Sequence, residues 1–398
     1  MKLSFSFIIP VYNRPDEIRE LLDSLAVQTY PEVFEIVIVE DGSTVPSERI
    51  IENFKDKHVK AKPHPANRSH AKQPHIEQPQ TIPSGNNNRF TIKYLKKPNS
   101  GPGSSRNYGM ARAKGDYFII LDSDCILPPR YLETVAESLR EDFVHCYGGP
   151  DAAHGSFSLV QKAINYAMTA VLTTGGIRGT GNSARKYTLT NAVPAATPSG
   201  KGSKSVYGQG GFQPRSFNMG LSKLAYESTG GFGNIHPGED PDLVFRIWAQ
   251  GYATRLIPQA FVYHKRRIDW QKFYVQVKKF GMVRPILNRR YPKTAKITYW
   301  FPTFFCWGFL TALVFWYWGI VLPLLLYAVY FGLVFVDSLL KNRSLSIGIL
   351  SLVAVALQFT GYGYGFLKST IFINFSKKNP EELFPRLFFT NADTETAV

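Results

Sequence analysis

The chain of 398 residues is short of cysteine. Cys125, Cys146 and Cys306 are too scattered for a disulfide framework or a metal-ligand spacing. That argues against a stapled secreted scaffold and fits a reducing compartment, with each thiol read as a small buried hydrophobe. No secretory leader is legible either, because Lys2 runs at once into strand residues with no small-residue cleavage site before them. The globular part is therefore expected in the cytoplasm. Acidic residues are few, 30 against 46 basic ones, for a net charge of +16. Such an excess suits a polyanionic partner. No aromatic platforms interleave with the basic residues, so no nucleic-acid module is recognisable and none is expected as a partner. The cations concentrate between Lys265 and Lys296, just ahead of an apolar tail. An anionic membrane surface explains that placement.

Two stretches lack apolar residues. Residues 60–90 are rich in Pro, His, Asn, Gln and Lys, and residues 173–212 in Gly, Ser, Thr and Lys. Neither can bury enough surface to fold, so a disordered insert and a mobile loop are expected. Residues 297–336 lack charge altogether. A bilayer crossing takes about 20 apolar residues, so this run suits two spans turned at Trp316-Tyr317-Trp318-Gly319. Lys341-Asn342-Arg343 follows, then a second charge-free run from Ser344 to Leu367. Three spans would leave the C-terminus outside, whereas Lys368, Lys377 and Lys378 argue for inside. The glycines of Gly361-Tyr362-Gly363-Tyr364-Gly365 are compatible with a re-entrant segment. The expected division is a globular domain over 1–268, a basic amphipathic interfacial helix over 269–298, two or three transmembrane helices over 299–370, and a polar tail over 371–398.

Before the tail, apolar strands alternate with helical patterns. Helices are expected at 15–27, 103–114, 129–140, 157–172 and 239–250, and strands at 91–95, 117–121, 143–149 and 253–262. This order implies an α/β fold with a mostly parallel sheet covered on both faces. Asp122-Ser123-Asp124 ends the buried run Tyr117-Phe118-Ile119-Ile120-Leu121. Positions i and i+2 of a strand point the same way, so both carboxylates can converge on one hard cation, Mg or Mn, with phosphate oxygens completing the shell. Asn99 to Arg106 leads into a helix start, where amides and dipole favour an anion. Asn99 belongs to this loop, Gly101 allows close backbone approach and Arg106 can pair with phosphate. The glycine spacing matches neither a Walker loop nor a dinucleotide fingerprint.

In order and spacing these motifs resemble glycosyltransferase family 2, with its GT-A fold. The motifs are Ile9-Pro10-Val11-Tyr12-Asn13-Arg14, Glu40-Asp41-Gly42-Ser43, the 99–107 loop, Asp122-Ser123-Asp124, Gly238-Glu239-Asp240-Pro241-Asp242 and Tyr263-His264-Lys265-Arg266-Arg267. The resemblance implies a nucleotide-sugar donor whose base lies on Pro10, Tyr12 and Asn13, with Asp41 holding the base edge. It implies metal contacts from Asp124, Asp122 and His264, sugar contacts from Asp151, and a diphosphate neutralised by Arg266 or Arg267. Of the pair Glu239 and Asp240, the resemblance favours Asp240 as the base on the acceptor hydroxyl. Asn218-Met219-Gly220 is expected beside the acceptor. Plainer roles stay open: Asp41 as a turn former, His264 as a surface histidine, and Glu239, Asp240 and Asp242 as helix-capping acids.

The function so implied is inverting, metal-dependent sugar transfer at the inner membrane surface, from a multi-pass cell-membrane protein to a lipid-linked or glycan acceptor. A processive polysaccharide synthase competes, but its Gln-x-x-Arg-Trp signature is absent, since Trp270 precedes Gln271. A nucleotidyltransferase and a non-catalytic assembly protein on the same fold remain as alternatives.

Overall fold

Strand β1 (Phe5–Val11) alternates its side chains between two cores, as a pleated backbone must. Phe7 and Ile9 pack on one face of the sheet and Ile8 on the other; Ile36/Ile38 and Val37/Val39 of β2 (Phe34–Asp41) divide the same way. In β4 (Tyr117–Leu121), Ile119 and Leu121 face the first core, and Phe118 and Ile120 the second. Strands apolar on both faces need helices on both, which is why the sheet is central. The computed structural model describes residues 3–58, 89–152, 157–175, 212–264 and 269–389. The expected insert at 60–90 and loop at 173–212 lie almost wholly outside these residues, as do Arg266 and Arg267.

With β3 (Phe90–Lys97), β6 (Cys146–Gly148), β8 (Asn218–Ser222) and β9 (Thr254–Leu256), the main sheet runs β3-β2-β1-β4-β8-β6-β9. Only β8 is antiparallel to its neighbours β4 and β6. The mostly parallel α/β architecture is as expected. The strand expected at 253–262 is in fact two. Pro258 cannot donate to a ladder, and a turn closed by Ala260 N–H on the Ile257 carbonyl at 3.1 Å separates β9 from β10 (Val262–His264). Strand β10 joins a second, small sheet between β5 (Cys125–Ile126) and β7 (Asp151–Ala152). Its antiparallel register sets His264 opposite Cys125, and so beside Asp124.

Among the described residues, three helices are long and apolar enough to cross a membrane: Ile297–Tyr317, Leu322–Asn342 and Leu345–Phe375. The last is continuous through Gly361, Gly363 and Gly365, so these glycines form no re-entrant break. Their role is packing. A Cβ on Gly365 would collide with the Lys278 carbonyl, one on Gly361 would lie 2.7 Å from Val277 Cγ2, and one on Gly363 would lie 2.9 Å from the Pro302 carbonyl. Gly281 answers from the other side, against the Tyr362 carbonyl. Helix Trp270–Arg290, expected to lie alone on a lipid surface, is therefore locked backbone to backbone onto Leu345–Phe375. Its Phe273 and Val277 share a core with Ile164 and Met168 of helix Leu159–Thr169 and with Val355 and Phe359. The Tyr166 hydroxyl donates to Asp337 Oδ2 at 2.7 Å, tying the same helix to the end of the second apolar helix.

Beyond Phe375 the chain returns to the globular domain. His236 N–H donates to the Leu387 carbonyl at 2.8 Å, and Phe389 N–H to the Asn234 carbonyl at 2.9 Å.

Candidate active site

The loops at the carboxyl ends of β1, β2 and β4 converge, where parallel sheets bind ligands. After β1, Asn13 adopts a left-handed φ of 54°, and its side-chain oxygen accepts from Val45 N–H at 2.9 Å and Thr44 Oγ1 at 3.0 Å. The loop after β1 is thereby pinned to the loop after β2, while Tyr12 stays half exposed. Asp41 is buried and accepts from the amides of Ser100 and Gly101, each at 3.0 Å, and from Lys97 Nζ at 2.6 Å. Its carboxylate thus shapes the 97–101 loop that the sequence assigned to phosphate. Asn99 adds a bond from Nδ2 to the Asp41 carbonyl at 3.0 Å. Gly101 has a φ of 89°, and a Cβ there would collide with the Phe389 ring.

Asp122 and Asp124 converge for a different reason than strand alternation. Strand β4 ends at Leu121, and the two acids lie on the turn into β5, closed by Cys125 N–H on the Asp122 carbonyl at 3.2 Å. His264 Nε2 stands 3.0 Å from Asp124 Oδ1 and 4.0 Å from Asp122 Oδ2. Arg14 binds the other Asp124 oxygen. Burial opposes ionisation of Asp124, but His264 and Arg14 overcome it and hold the carboxyl well below the usual carboxylate range.

These groups suit a divalent cation. His264 Nδ1 is buried without a hydrogen bond, and Asp124 Oδ1 is buried with only the His264 ring against it, so the pair can present ligand atoms to a cation. Cys125 lies within ligand reach of the same pair. Its thiol nevertheless bonds to the Phe217 carbonyl at 3.4 Å, and burial pushes its pKa well up. A protonated thiol is a poor ligand for a hard cation, so Asp122 is the better third group.

Arg106 lines the cavity and also holds two acids of the site. Its guanidinium is buried and bridges Asp122 Oδ1 at 2.8 Å and Glu239 Oε1 at 3.3 Å. Helix Glu239–Ala249 begins here with three acids in its first turn, where the dipole welcomes them. The two leading acids differ sharply. Burial raises Glu239, but His236 at 3.1 Å and then Arg106 outweigh it and bring it down to about 2. Asp240 is raised, first by burial and then by the charge of Glu239, and its Oδ1 is buried without a partner. A carboxylate of raised basicity with a free oxygen has the character of a general base, and Glu239 does not.

One cavity of about 1870 Å³ gathers these groups. Pro10, Tyr12, Asp41, Asn99, Gly101, Arg106, Asp122, Asp124, Asp151 and His264 line it, together with Glu239 and Asp240. Asn218 is not among its walls. It is fully buried, accepts from Tyr131 Oη at 2.6 Å and donates to the Ala260 carbonyl at 2.8 Å, so it fastens the two sheets and does not touch an acceptor. Sequence reasoning missed Arg14 and Lys97, whose partners Asp124 and Asp41 are distant in the chain, and also His236 and Arg215. Arg14 alone carried a signal, as the last residue of the Pro10–Arg14 loop motif.

The sequence matches the profile of glycosyl transferase family 2 over residues 6–73 and 81–206, and that of glycosyl transferase family group 2 over 216–337. Among curated proteins it is 28% identical over 140 residues to the poly(ribitol-phosphate) β-N-acetylglucosaminyltransferase TarS of Staphylococcus aureus, covering 35% of this chain and 19% of that one. It is 34% identical over 123 residues to a poly(ribitol-phosphate) β-glucosyltransferase of Bacillus spizizenii, covering 31% of this chain and 15% of that one. The match thus spans less than a fifth of the length of either relative. Among solved structures, the mannosyltransferase PcManGT of Pyrobaculum calidifontis, in complex with GDP-Man and Mn2+, aligns over 95% of this chain and 89% of its own at 15% identity and a TM-score of 0.47. S. aureus TarS with UDP-GlcNAc aligns over 92% and 91% at 15% identity and a TM-score of 0.40. Two adjoining family profiles cover most of residues 6–337 and span the motifs of the site, and by them the chain belongs to glycosyltransferase family 2.

Proposed function

We propose that this chain is an inverting, metal-dependent glycosyltransferase that moves a sugar from a nucleoside-diphosphate donor to a lipid-linked acceptor at the inner membrane surface. The observation that carries the reading is the division of labour across one cavity. A pair suited to a cation, Asp124 and His264, lines the same cavity as Asp240, whose carboxyl is raised and keeps one buried oxygen without a partner. Single in-line displacement needs those two functions on opposite sides of the transferred sugar.

The donor's base rests against Pro10 and Tyr12, and Asp124, His264 and Asp122 are the residues that would hold the cation beside its diphosphate. When bound, the cation neutralises charge developing on the leaving diphosphate. Arg106 keeps Asp122 and Glu239 fixed, so the two acid groups hold a constant spacing. Asp240 accepts the proton of the attacking hydroxyl as the new bond forms. Asp151 lines the same cavity and is placed for sugar hydroxyls. Relatives acting on poly(ribitol-phosphate) make a cell-wall or polysaccharide product a reasonable destination.

The membrane part of the reading rests on the three apolar helices together with the returning C-terminal segment. Residues 387–389 pair with 234–236 of the globular domain. A chain that leaves one side of a bilayer and returns to it has crossed an even number of times. One of the three helices is therefore not a full crossing. Leu345–Phe375 fits that role, because 44% of its apolar window is buried inside the protein, against 11% for each of the others.

The test is release of nucleoside diphosphate from a panel of nucleotide-sugars by detergent-purified protein, with and without Mn or Mg. Metal-dependent release from one donor, lost in Asp124→Ala, is expected. Absence of both release and nucleotide binding across the panel would overturn the proposal.

A further inference from the structure

The cavity does not end at Asp240. It continues between helices Trp270–Arg290, Phe301–Tyr317 and Leu345–Phe375, where Val275, Phe280, Phe301, Phe304, Phe359 and Tyr362 line it. At the junction between its polar and apolar halves stand two arginines, Arg215 from the segment before β8 and Arg284 from helix Trp270–Arg290. Among the described residues neither guanidinium has a carboxylate within ion-pair distance. Arg284 Nη1 is buried with no hydrogen-bond partner, and the group's only recorded contact is the face of Tyr299 at 4.5 Å. Arg215 feels the charge of Asp240 on one side and the like charge of Arg284 on the other.

Two guanidinium groups without an ion pair, one of them with a buried nitrogen lacking any partner, are costly in a cavity wall. Every other buried arginine of the site has its anion: Arg106 has Asp122 and Glu239. The missing partner is therefore an anion that arrives with a ligand. Its position beside the proposed base Asp240 sets it on the acceptor side. The aromatic and aliphatic walls beyond it accept a hydrocarbon chain.

We propose that Arg215 and Arg284 form a phosphate site for the acceptor, and that the acceptor is an amphiphile whose phosphate sits between these two guanidinium groups while its hydrocarbon chain lies in the groove. Gln276 and Gln358 line the groove near the junction, each with a buried side-chain oxygen lacking a partner, and supply acceptors for hydroxyl groups of the same ligand. The proposal rests on the transferase reading for its choice of acceptor, but the binding it describes needs no turnover.

The experiment measures binding of farnesyl phosphate, farnesol and inorganic phosphate to the full-length protein in detergent, by quenching of its tryptophan fluorescence, with UDP and GDP as nucleotide probes. Farnesyl phosphate should bind at least about tenfold more tightly than either farnesol or phosphate. Arg215→Gln and Arg284→Gln should each weaken farnesyl phosphate by roughly tenfold, the scale of a lost charge-assisted hydrogen bond, and leave farnesol and nucleotide affinities unchanged. Arg284→Lys, which keeps the charge, should recover part of the loss and controls for folding. Equal binding of farnesol would overturn the phosphate site, and equal binding of inorganic phosphate would overturn the lipid assignment. Loss of UDP or GDP affinity in the arginine variants would reassign the pair to the donor's diphosphate and also overturn the proposal. Donor hydrolysis by the wild-type protein reports separately on the transferase reading, so the two can fail independently.

Discussion

Arg106 donates to Asp122 at 2.8 Å and to Glu239 at 3.3 Å, so one guanidinium joins the Asp122–Asp124 turn to the acid pair that opens helix Glu239–Ala249. Removing it leaves two carboxylates facing each other with one of them buried. Arg106→Ala should cost about 3–5 kcal/mol, the usual penalty for breaking a buried pair. Thermal unfolding in detergent checks this, and an unchanged midpoint would show that the bridge is not structural. Arg106→Lys should recover little, because a single ammonium cannot span both acids.

Asp240→Asn should keep nucleotide binding and lower transfer by about 10²–10⁴-fold, the range for a lost general base. Comparing nucleotide affinity with turnover separates the two effects. Retained turnover would move the base elsewhere.

The two acids at the start of helix Glu239–Ala249 should also respond to pH with opposite sign. Glu239 is depressed to about 2, so its stabilising contribution is complete above the ordinary glutamate range and fades as pH falls toward 2. Asp240 is raised, so its protonated form favours the folded state and the ion disfavours it as pH rises past the shifted value. At neutral pH, Glu239→Gln should therefore destabilise and Asp240→Asn should be neutral or stabilising. Unfolding midpoints of the two variants at pH 7 decide the point, and a destabilised Asp240→Asn would contradict it.

Metal affinity should depend on Asp124 and His264 and not on Cys125. Mn titrations followed by electron paramagnetic resonance should show weakened binding in Asp124→Ala and His264→Ala, with Cys125→Ser near wild type. A large loss in Cys125→Ser would place the thiolate in the shell.

The proposed even crossing count would put residue 377 on the same side as the globular domain. Cysteines introduced as Lys377→Cys and Asp142→Cys should react with a membrane-impermeant maleimide from the same side of sealed vesicles. Reaction from opposite sides would restore three full crossings.

The sheet was legible because its strands carry the signal on both faces. Ile8 and Ile9 both needed burial, and only a sheet covered on both sides gives it. The acid motifs were legible because their order along the chain is itself a pattern. What escaped was whatever depends on chain segments far apart. Arg106 reads as a phosphate ligand until Glu239, 133 residues on, is seen to hold it. Asn218 reads as an acceptor contact until Tyr131 and the Ala260 carbonyl claim it. Gly361 and Gly365 looked like a break in a helix, because a glycine's removal of bulk has meaning only when the opposing backbone is known. Arg266 and Arg267 stay as the sequence left them, outside the described residues.

The glycine seam between helices Trp270–Arg290 and Leu345–Phe375 leaves no room for sliding or hinging, since Gly281, Gly361 and Gly365 each meet the opposite helix almost at its main chain. The candidate-site carboxylates and the apolar helices are thus parts of one solid piece. In a bilayer, the height of Asp240 above the hydrocarbon would then be a constant of the molecule. Such a protein works as a gauge: it would select acceptors by how far their reacting oxygen stands from the membrane, and a glycan one sugar too long or too short would be refused by distance alone.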